Sequence, residues 1–445
     1  MTSNTLALPP GFVWGASTSS FQIEGAAQED GKGPSAWDKT CRVKDAIANG
    51  DTADLACDHY HRYAQDIALM RDLGLRAYRF SVAWPRLLPL GKGPVNEKGL
   101  DFYDRLIDGL LEAGIEPWLC LFHWDFPLAL HDRGGWINRD SAGWFADYAA
   151  LVARRYGDRV KHFATINEPS IFTLFGYAMD QAAPGLPNRS ANLQVIHHVN
   201  LAHGAAVDVL RALVPGASIG CIHARQPVRP ASDAPGDHKA AEVFDEHWNL
   251  CFPDPQILGY YPPNIAREIE PYLRPGDLAR ICRPVDWFGV NHYSVVHAKA
   301  KPDTTWGFGF ADSPVKMPVT GIGWAICPEA FREELLRVSR RYRLPIYVTE
   351  NGCGSDKETI GEDGEVDDQH RIDYLSAYIG SMAEAVAEGA DVRGYFAWSL
   401  LDNFEWNAGY ASRFGLVYVD YATQRRIPKA SAKWYSRLIR GGKDS

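Results

Sequence analysis

The feature that most constrains this chain is an alternation repeated eight times: a short apolar run that reads as a strand, followed mostly by a longer stretch with helical period. Strand-like runs cover residues 12–17, 75–84, 118–124, 161–167, 217–223, 287–293, 345–350 and 392–399. Between them, 58–73, 96–113, 142–156, 192–214, 329–342 and 367–388 carry apolar residues at helical spacing. In the first of these helices Tyr60, Tyr63, Ile67 and Met70 share one face, and Gly74 is a stop signal. In the second, Leu106, Ile107, Leu110 and Leu111 are expected to face inward, and Gly114 ends the pattern. Eight strands separated by helices fit a (β/α)8 TIM barrel better than an open doubly wound sheet. No Ser/Gly linker or charge block divides the chain, so one catalytic-size domain is expected over 1–445. The stretches 226–236 and 354–368 read as surface loops.

Composition narrows the function classes. Lys plus Arg number 46 against 55 Asp plus Glu, a net charge of −9, and an acidic surface argues against a nucleic-acid partner. No run of 18 apolar residues occurs, so no membrane span is expected. Met1-Thr2-Ser3-Asn4 has neither a basic nor a long apolar region, and no secretory signal is expected. The eight cysteines are scattered without a CxxC pair or metal-ligand spacing, which predicts reduced thiols in a cytoplasmic protein. No metal, no cofactor and no particular oligomeric state is specified. Fourteen Trp and 20 Tyr supply many flat aromatic faces, useful both to a core and to a carbohydrate site.

In a parallel barrel, chemistry sits at the C-terminal ends of the strands. Six of these ends are polar or aromatic here: Arg79; Phe122-His123-Trp124-Asp125; Thr165-Ile166-Asn167-Glu168-Pro169; Asn291-His292-Tyr293; Thr349-Glu350-Asn351-Gly352; and the run from Trp398 to Trp406. Arg79 shares a strand face with Ala77 and Ser81, which suits the inside of a barrel mouth and demands a carboxylate partner. Glu168 and Glu350, each just past an apolar strand, are the candidates. Two carboxylates facing one cavity suit glycoside hydrolysis, in which one protonates the leaving oxygen and the other attacks or activates water. Two other patterns fit less well. Gly216-Ala217-Ser218-Ile219-Gly220 matches a serine-hydrolase elbow, but its serine follows a helix and opens a strand, the reverse of what an elbow needs. His59-Tyr60-His61 and His197-His198 lack ligand partners at suitable spacing.

These segments, together with Phe12-Val13-Trp14-Gly15-Ala16-Ser17, Gln22, Glu24-Gly25 and Tyr78-Arg79-Phe80-Ser81, make the chain resemble glycoside hydrolase family 1, the β-glucosidase family, along nearly its whole length. Ala83 and Phe126 are minor departures, standing where a serine and a leucine are common. The resemblance implies that Glu350 is the nucleophile of a retaining double displacement and Glu168 the acid/base. Arg79 and Tyr293 would hold Glu350 ionised and oriented, and Asn291 belongs with this catalytic set. Gln22, His123, Trp124, Asn167, Glu405 and Trp406 would bind the hydroxyls of a terminal sugar, with Trp398 as the floor under its ring, Phe414 beside it and Trp324 at the entrance. The implied partner is a small β-glycoside whose sugar is unphosphorylated, because Glu405 would repel a 6-phosphate. The two carboxyl groups should then lie about 5–5.5 Å apart. Glucose, galactose and fucose are all compatible with the inner residues, and aglycone choice is expected to lie in irregular loops at 226–236, 302–320 and around Trp324. A non-catalytic sugar-binding protein and a transglycosylase are the competing readings; retention of both glutamates weighs against the first.

Overall fold

The structure, a computed structural model, describes residues 8–441 apart from 180–181 and 183–184. Eight parallel strands close a barrel in chain order: β1 (Val13–Ser17), β2 (Ala77–Ser81), β3 (Glu116–Phe122), β4 (His162–Asn167), β5 (Ser218–Ala224), β6 (Trp287–Asn291), β7 (Ile346–Asn351) and β8 (Val392–Trp398), with β8 pairing back to β1. The connecting helices include α1 (His59–Leu73), α2 (Glu97–Glu112), α3 (Ser141–Tyr156), α4 (Arg189–Leu213), α5 (Pro328–Tyr342) and α6 (Gln369–Ala387), and α7 (Ala430–Ile439) follows β8. Gly74 ends α1 with φ +81°, a left-handed conformation that glycine adopts without a Cβ penalty. At α4 the Asn188 side chain accepts from the Ala191 N–H, starting the helix earlier than apolar spacing alone predicts.

The barrel is a packed core. Trp118, Trp287, Tyr347 and Phe396 meet inside it, with Trp118 between 4.7 and 5.3 Å from the other three ring centroids. Glycines leave room for these rings: a Cβ on Gly220 would lie 2.2 Å from Trp287, and one on Gly15 2.5 Å from Phe396. The β2 alternation reads as expected: Ala77 packs with this inner cluster, while Tyr78 and Phe80 belong to the larger core between strands and helices.

Several boundaries differ from the sequence expectation. The second strand closes at Ser81, and Trp84–Leu87 is a short helix with Pro85 in its first turn, where a missing N–H costs nothing. Leu111 is 41% exposed rather than inward, because Tyr103, Leu106, Ile107 and Leu110 already complete the buried stripe of α2. The loops at 226–236 and 302–320 each contain a strand, Val228–Pro230 and Phe308–Ala311, and both pair with Val296–Ala300 in a small separate sheet. Ser218 opens β5, at the end of the barrel opposite the strand C-termini. His59 pairs with Asp66 and His197 with Asp277, each at 2.8 Å, as core polar contacts. All eight cysteines are free. Among the described residues no helix is long and apolar enough to cross a membrane.

Candidate active site

The C-terminal strand ends open into a cavity of about 880 Å³. His123, Trp124, Glu168, Tyr293, Trp324, Glu350, Trp398, Glu405, Trp406 and Phe414 line it. Gln22, Arg79, Asn167 and Asn291 are buried behind these walls and bonded to one another or to wall residues. The fourteen residues singled out in the sequence thus form one constellation, ten on its surface and four in its support.

Local backbone irregularity places the two carboxylates. Strand register shifts occur between Ala164 and Asn167 on β4 and between Val348 and Glu350 on β7, so both strands bend as they reach the cavity. Glu168 has φ +45° and is followed by Pro169, which opens the helix Pro169–Tyr177. A residue before proline is steered away from the right-handed helical region, and a non-glycine residue at positive φ is uncommon and strained. Trp124 and Trp406, also in the wall, have φ of +76° and +49°. Positive φ at three wall residues is the pattern expected where side-chain aim outweighs backbone comfort.

Glu350 is held from both sides. Arg79 donates through Nη1 to its Oε1 at 2.6 Å, and the Tyr293 hydroxyl donates to its Oε2 at 2.6 Å. Arg79 Nη2 also donates to Asn167 Oδ1 at 2.6 Å, so one guanidinium fixes a carboxylate on β7 and an amide on β4. Asn291 Nδ2 donates to the same Asn167 oxygen at 3.0 Å, while the Thr349 hydroxyl donates to Asn291 Oδ1 at 2.6 Å and sets which way that amide faces. Asn167 Nδ2 lies 3.1 Å from His123 Nε2. Gln22 bridges Asn403 Oδ1 at 3.1 Å and Glu405 Oε2 at 3.3 Å.

The electrostatics separate the two carboxyl groups. Burial, then the charge of Glu350, pushes Glu168 well above the ordinary carboxylate range. Burial raises Glu350 as well, but Arg79, Tyr293 and Asn291 all pull it back toward ionisation. With the cation on one side only, the arrangement is a protonated Glu168 facing an ionised Glu350. Burial and the Glu350 charge raise Glu405 to about 8. Burial holds His123 well below its usual range, so its ring is neutral. The Tyr293 phenol is pushed far up by burial and by Glu350, so it remains a donor.

Parts of the site went unread in the sequence. Phe175, Trp248 and Phe310 line the same cavity, as does Trp37, whose ring centroid lies 4.7 Å from that of Trp406. Ile171, Phe172 and Phe175 recur at helical spacing just after Glu168, a signal that could have identified this wall. Thr349 carries no signal beyond its place next to Glu350.

Comparison with known proteins follows the same lines. The family model described as Glycosyl hydrolase family 1 matches residues 4–443. Beta-glucosidase A of Thermotoga maritima is 43% identical, covering 98% of each chain. A beta-glucosidase of an Agrobacterium species is 43% identical, covering 98% of this chain and 97% of its own. The solved structure of a beta-glucosidase from Thermotoga maritima in complex with glucoimidazole superposes with a TM-score of 0.93 at 42% identity, covering 98% of this chain and 99% of that one. A family model spanning nearly the whole sequence, together with a barrel that superposes this closely on solved members, establishes that the chain belongs to glycosyl hydrolase family 1.

Proposed function

We propose that the chain is a retaining β-glucosidase that releases terminal β-D-glucosyl units from small glucosides by double displacement. In the first step the Glu350 carboxylate attacks the anomeric carbon while Glu168 gives its proton to the departing glycosidic oxygen. The C–O bond to the aglycone breaks, the alcohol leaves, and an ester joins the sugar to Glu350. Esterification removes the negative charge beside Glu168, so its proton affinity falls and it becomes a competent base. It then takes a proton from water as the water oxygen attacks the same carbon, and Glu350 leaves as carboxylate. Two inversions give net retention. This mechanism asks for carboxyl groups about 5–5.5 Å apart.

The observation that carries this reading is the asymmetric support of the pair: Glu350 lies between Arg79 and Tyr293 at 2.6 Å each, while Glu168 is buried and lacks a cation of its own. Gln22, His123, Trp124, Asn167, Glu405 and Trp406 bind the sugar hydroxyls, and Trp398 stacks under the ring. An unphosphorylated sugar fits, because a 6-phosphate would bury a further negative charge beside the Glu405 carboxyl group in a cavity that already holds the Glu350 carboxylate. The partner is a small glycoside, and a reducing compartment, the cytoplasm, suits a chain with eight free cysteines. Proton NMR of the sugar released from an aryl β-glucoside tests the mechanism. The β anomer appears first and then mutarotates; the α anomer appearing first would reverse the assignment of a nucleophile.

A further inference from the structure

Asp125 follows His123 and Trp124 of the cavity wall, is 1% exposed, and takes no part in the chemistry above. Burial pushes its carboxyl group up to about 7, with Glu24 adding to the rise and the Ser20 hydroxyl and Lys32 opposing it. An apolar side chain of similar size would avoid the cost of burying a carboxyl group. What Asp125 offers instead is an acceptor.

That acceptor ends a directed chain of hydrogen bonds. The Ser20 N–H donates to Ser81 Oγ at 2.8 Å, the Ser81 hydroxyl donates to Ser20 Oγ at 2.9 Å, and the Ser20 hydroxyl donates to Asp125 Oδ2 at 2.9 Å. A backbone N–H can only donate and each hydroxyl has one proton to give, so the chain runs one way and needs an acceptor at its end. All three residues are at most 3% exposed.

Each of the three belongs to a different strand end and stands within two residues of the site. Ser20 opens the short helix Ser20–Ile23 after β1, which carries Gln22. Ser81 closes β2, two residues after Arg79, and Asp125 follows β3 beside Trp124. The backbone at Asp125 is a corner: Trp124 has φ +76°, and the Phe126 N–H donates to the Trp124 carbonyl oxygen at 3.0 Å, a tight turn centred on Asp125. A strained corner keeps its geometry only where surrounding contacts fix it. The Trp124 indole is fixed by donating to the Asn167 carbonyl oxygen at 3.0 Å, and Asp125 fixes the corner itself through Ser20.

Resting on the glucosidase reading above, we propose that Asp125 is a positioning residue for the sugar. Through Ser20 and Ser81 it locks the ends of β1, β2 and β3 together, and so sets where Gln22, His123 and Trp124 meet the sugar hydroxyls. It acts through these residues and lies behind the wall they form.

Substrates that share a 4-nitrophenyl leaving group and differ by one sugar hydroxyl separate this role from a merely structural one. The 3-deoxy and 4-deoxy analogues of 4-nitrophenyl β-D-glucoside are expected to fall at least about tenfold below the parent glucoside in kcat/KM, because a missing hydroxyl leaves a buried partner unpaired. Gln22→Ala and His123→Ala, which remove such partners, identify the ratio that each residue controls. In Asp125→Leu the same ratio is expected to shrink about fivefold, the glucoside losing rate while the deoxy analogue largely keeps it. Ser20→Ala, which cuts the chain and leaves the carboxyl group, should shrink it likewise, and it carries the test if Asp125→Leu does not fold. Asp125→Asn keeps an acceptor for the Ser20 hydroxyl and should restore the ratio. A ratio unchanged in the folded variants, equal slowing of glucoside and deoxy analogues, or Asp125→Asn behaving as Asp125→Leu overturns the proposal and leaves the glucosidase reading intact. No release from the parent glucoside by the unmodified enzyme overturns both.

Discussion

In the proposed mechanism Glu168 gives up a proton in one step and recovers one in the next, and its surroundings suit both needs. It is buried, faces an anion, and sits beside an amide, Asn291, that favours ionisation of both carboxyl groups. Removing it should affect the steps unequally. Glu168→Ala is expected to slow hydrolysis of alkyl glucosides by about 10²–10⁴-fold, the usual contribution of a positioned acid, with a smaller loss for nitrophenyl glucosides that need little protonation. Azide, which attacks without a base, should restore turnover of the activated substrate and yield β-glucosyl azide; equal losses on both substrates would count against the acid role. At this scale the sequence was informative wherever a residue's role follows from its own chemistry. Arg79 had to find a carboxylate, and Glu350 is that partner. Supporting contacts were less legible: the turn of Asn291 by Thr349 depends on an amide orientation that only the folded site defines.

The same asymmetry appears among the elements. Strand and helix identities were readable, because an apolar period near two or near 3.6 survives in nearly every segment. Edges were not, since they depend on neighbours: Leu111 turns outward because the α2 stripe is already full, and Phe308–Ala311 becomes a strand only by pairing with Val296–Ala300. The expected irregular loop around 302–320 therefore presents part of a small sheet, and the cavity wall it forms has a definite shape. On the inside of the barrel, large rings fit because glycine stands opposite them. Gly220→Ala would place a methyl 2.2 Å from the Trp287 ring, among rings that are themselves packed together. Overpacking of this kind costs about 1–3 kcal/mol. A lower urea midpoint with an unchanged m-value is the expected result, and an unaltered midpoint would mean the ring plug yields easily.

Across the whole molecule, several acids and histidines sit where burial works against their charged forms, and stability should show this as pH dependence. Burial raises Asp125 to about 7, and burial with the Glu350 charge raises Glu405 to about 8. A carboxyl group raised above its unfolded value stabilises the fold while protonated, and that contribution is lost as pH climbs toward the folded value. Buried histidines act on the other side: burial lowers His203 and His247 to about 3, and His198 and His292 to about 4. Below the ordinary histidine range the unfolded chain takes up protons that these rings refuse, so stability falls as pH drops. The melting temperature of the ligand-free protein is therefore expected to peak near the ordinary histidine value of 6.5 and to decline from there to about pH 8, above which Glu405 is ionised in both the folded and the unfolded chain. Glu405→Gln should flatten the alkaline decline, and an identical slope in that variant would contradict the assignment. Most of this charge economy was invisible in the sequence, where the net charge of −9 says nothing about which acids are buried.

The central claim is that Glu350 becomes covalently joined to the sugar. The most direct measurement is peptide mapping by mass spectrometry after incubation with an activated 2-deoxy-2-fluoro-β-glucoside, whose electron-poor ring slows breakdown of the ester. One fluoroglucosyl group on the peptide carrying Thr349-Glu350-Asn351, absent in Glu350→Gln, is the predicted result. Aglycone release without any labelled peptide, or a label on Glu168, would contradict it.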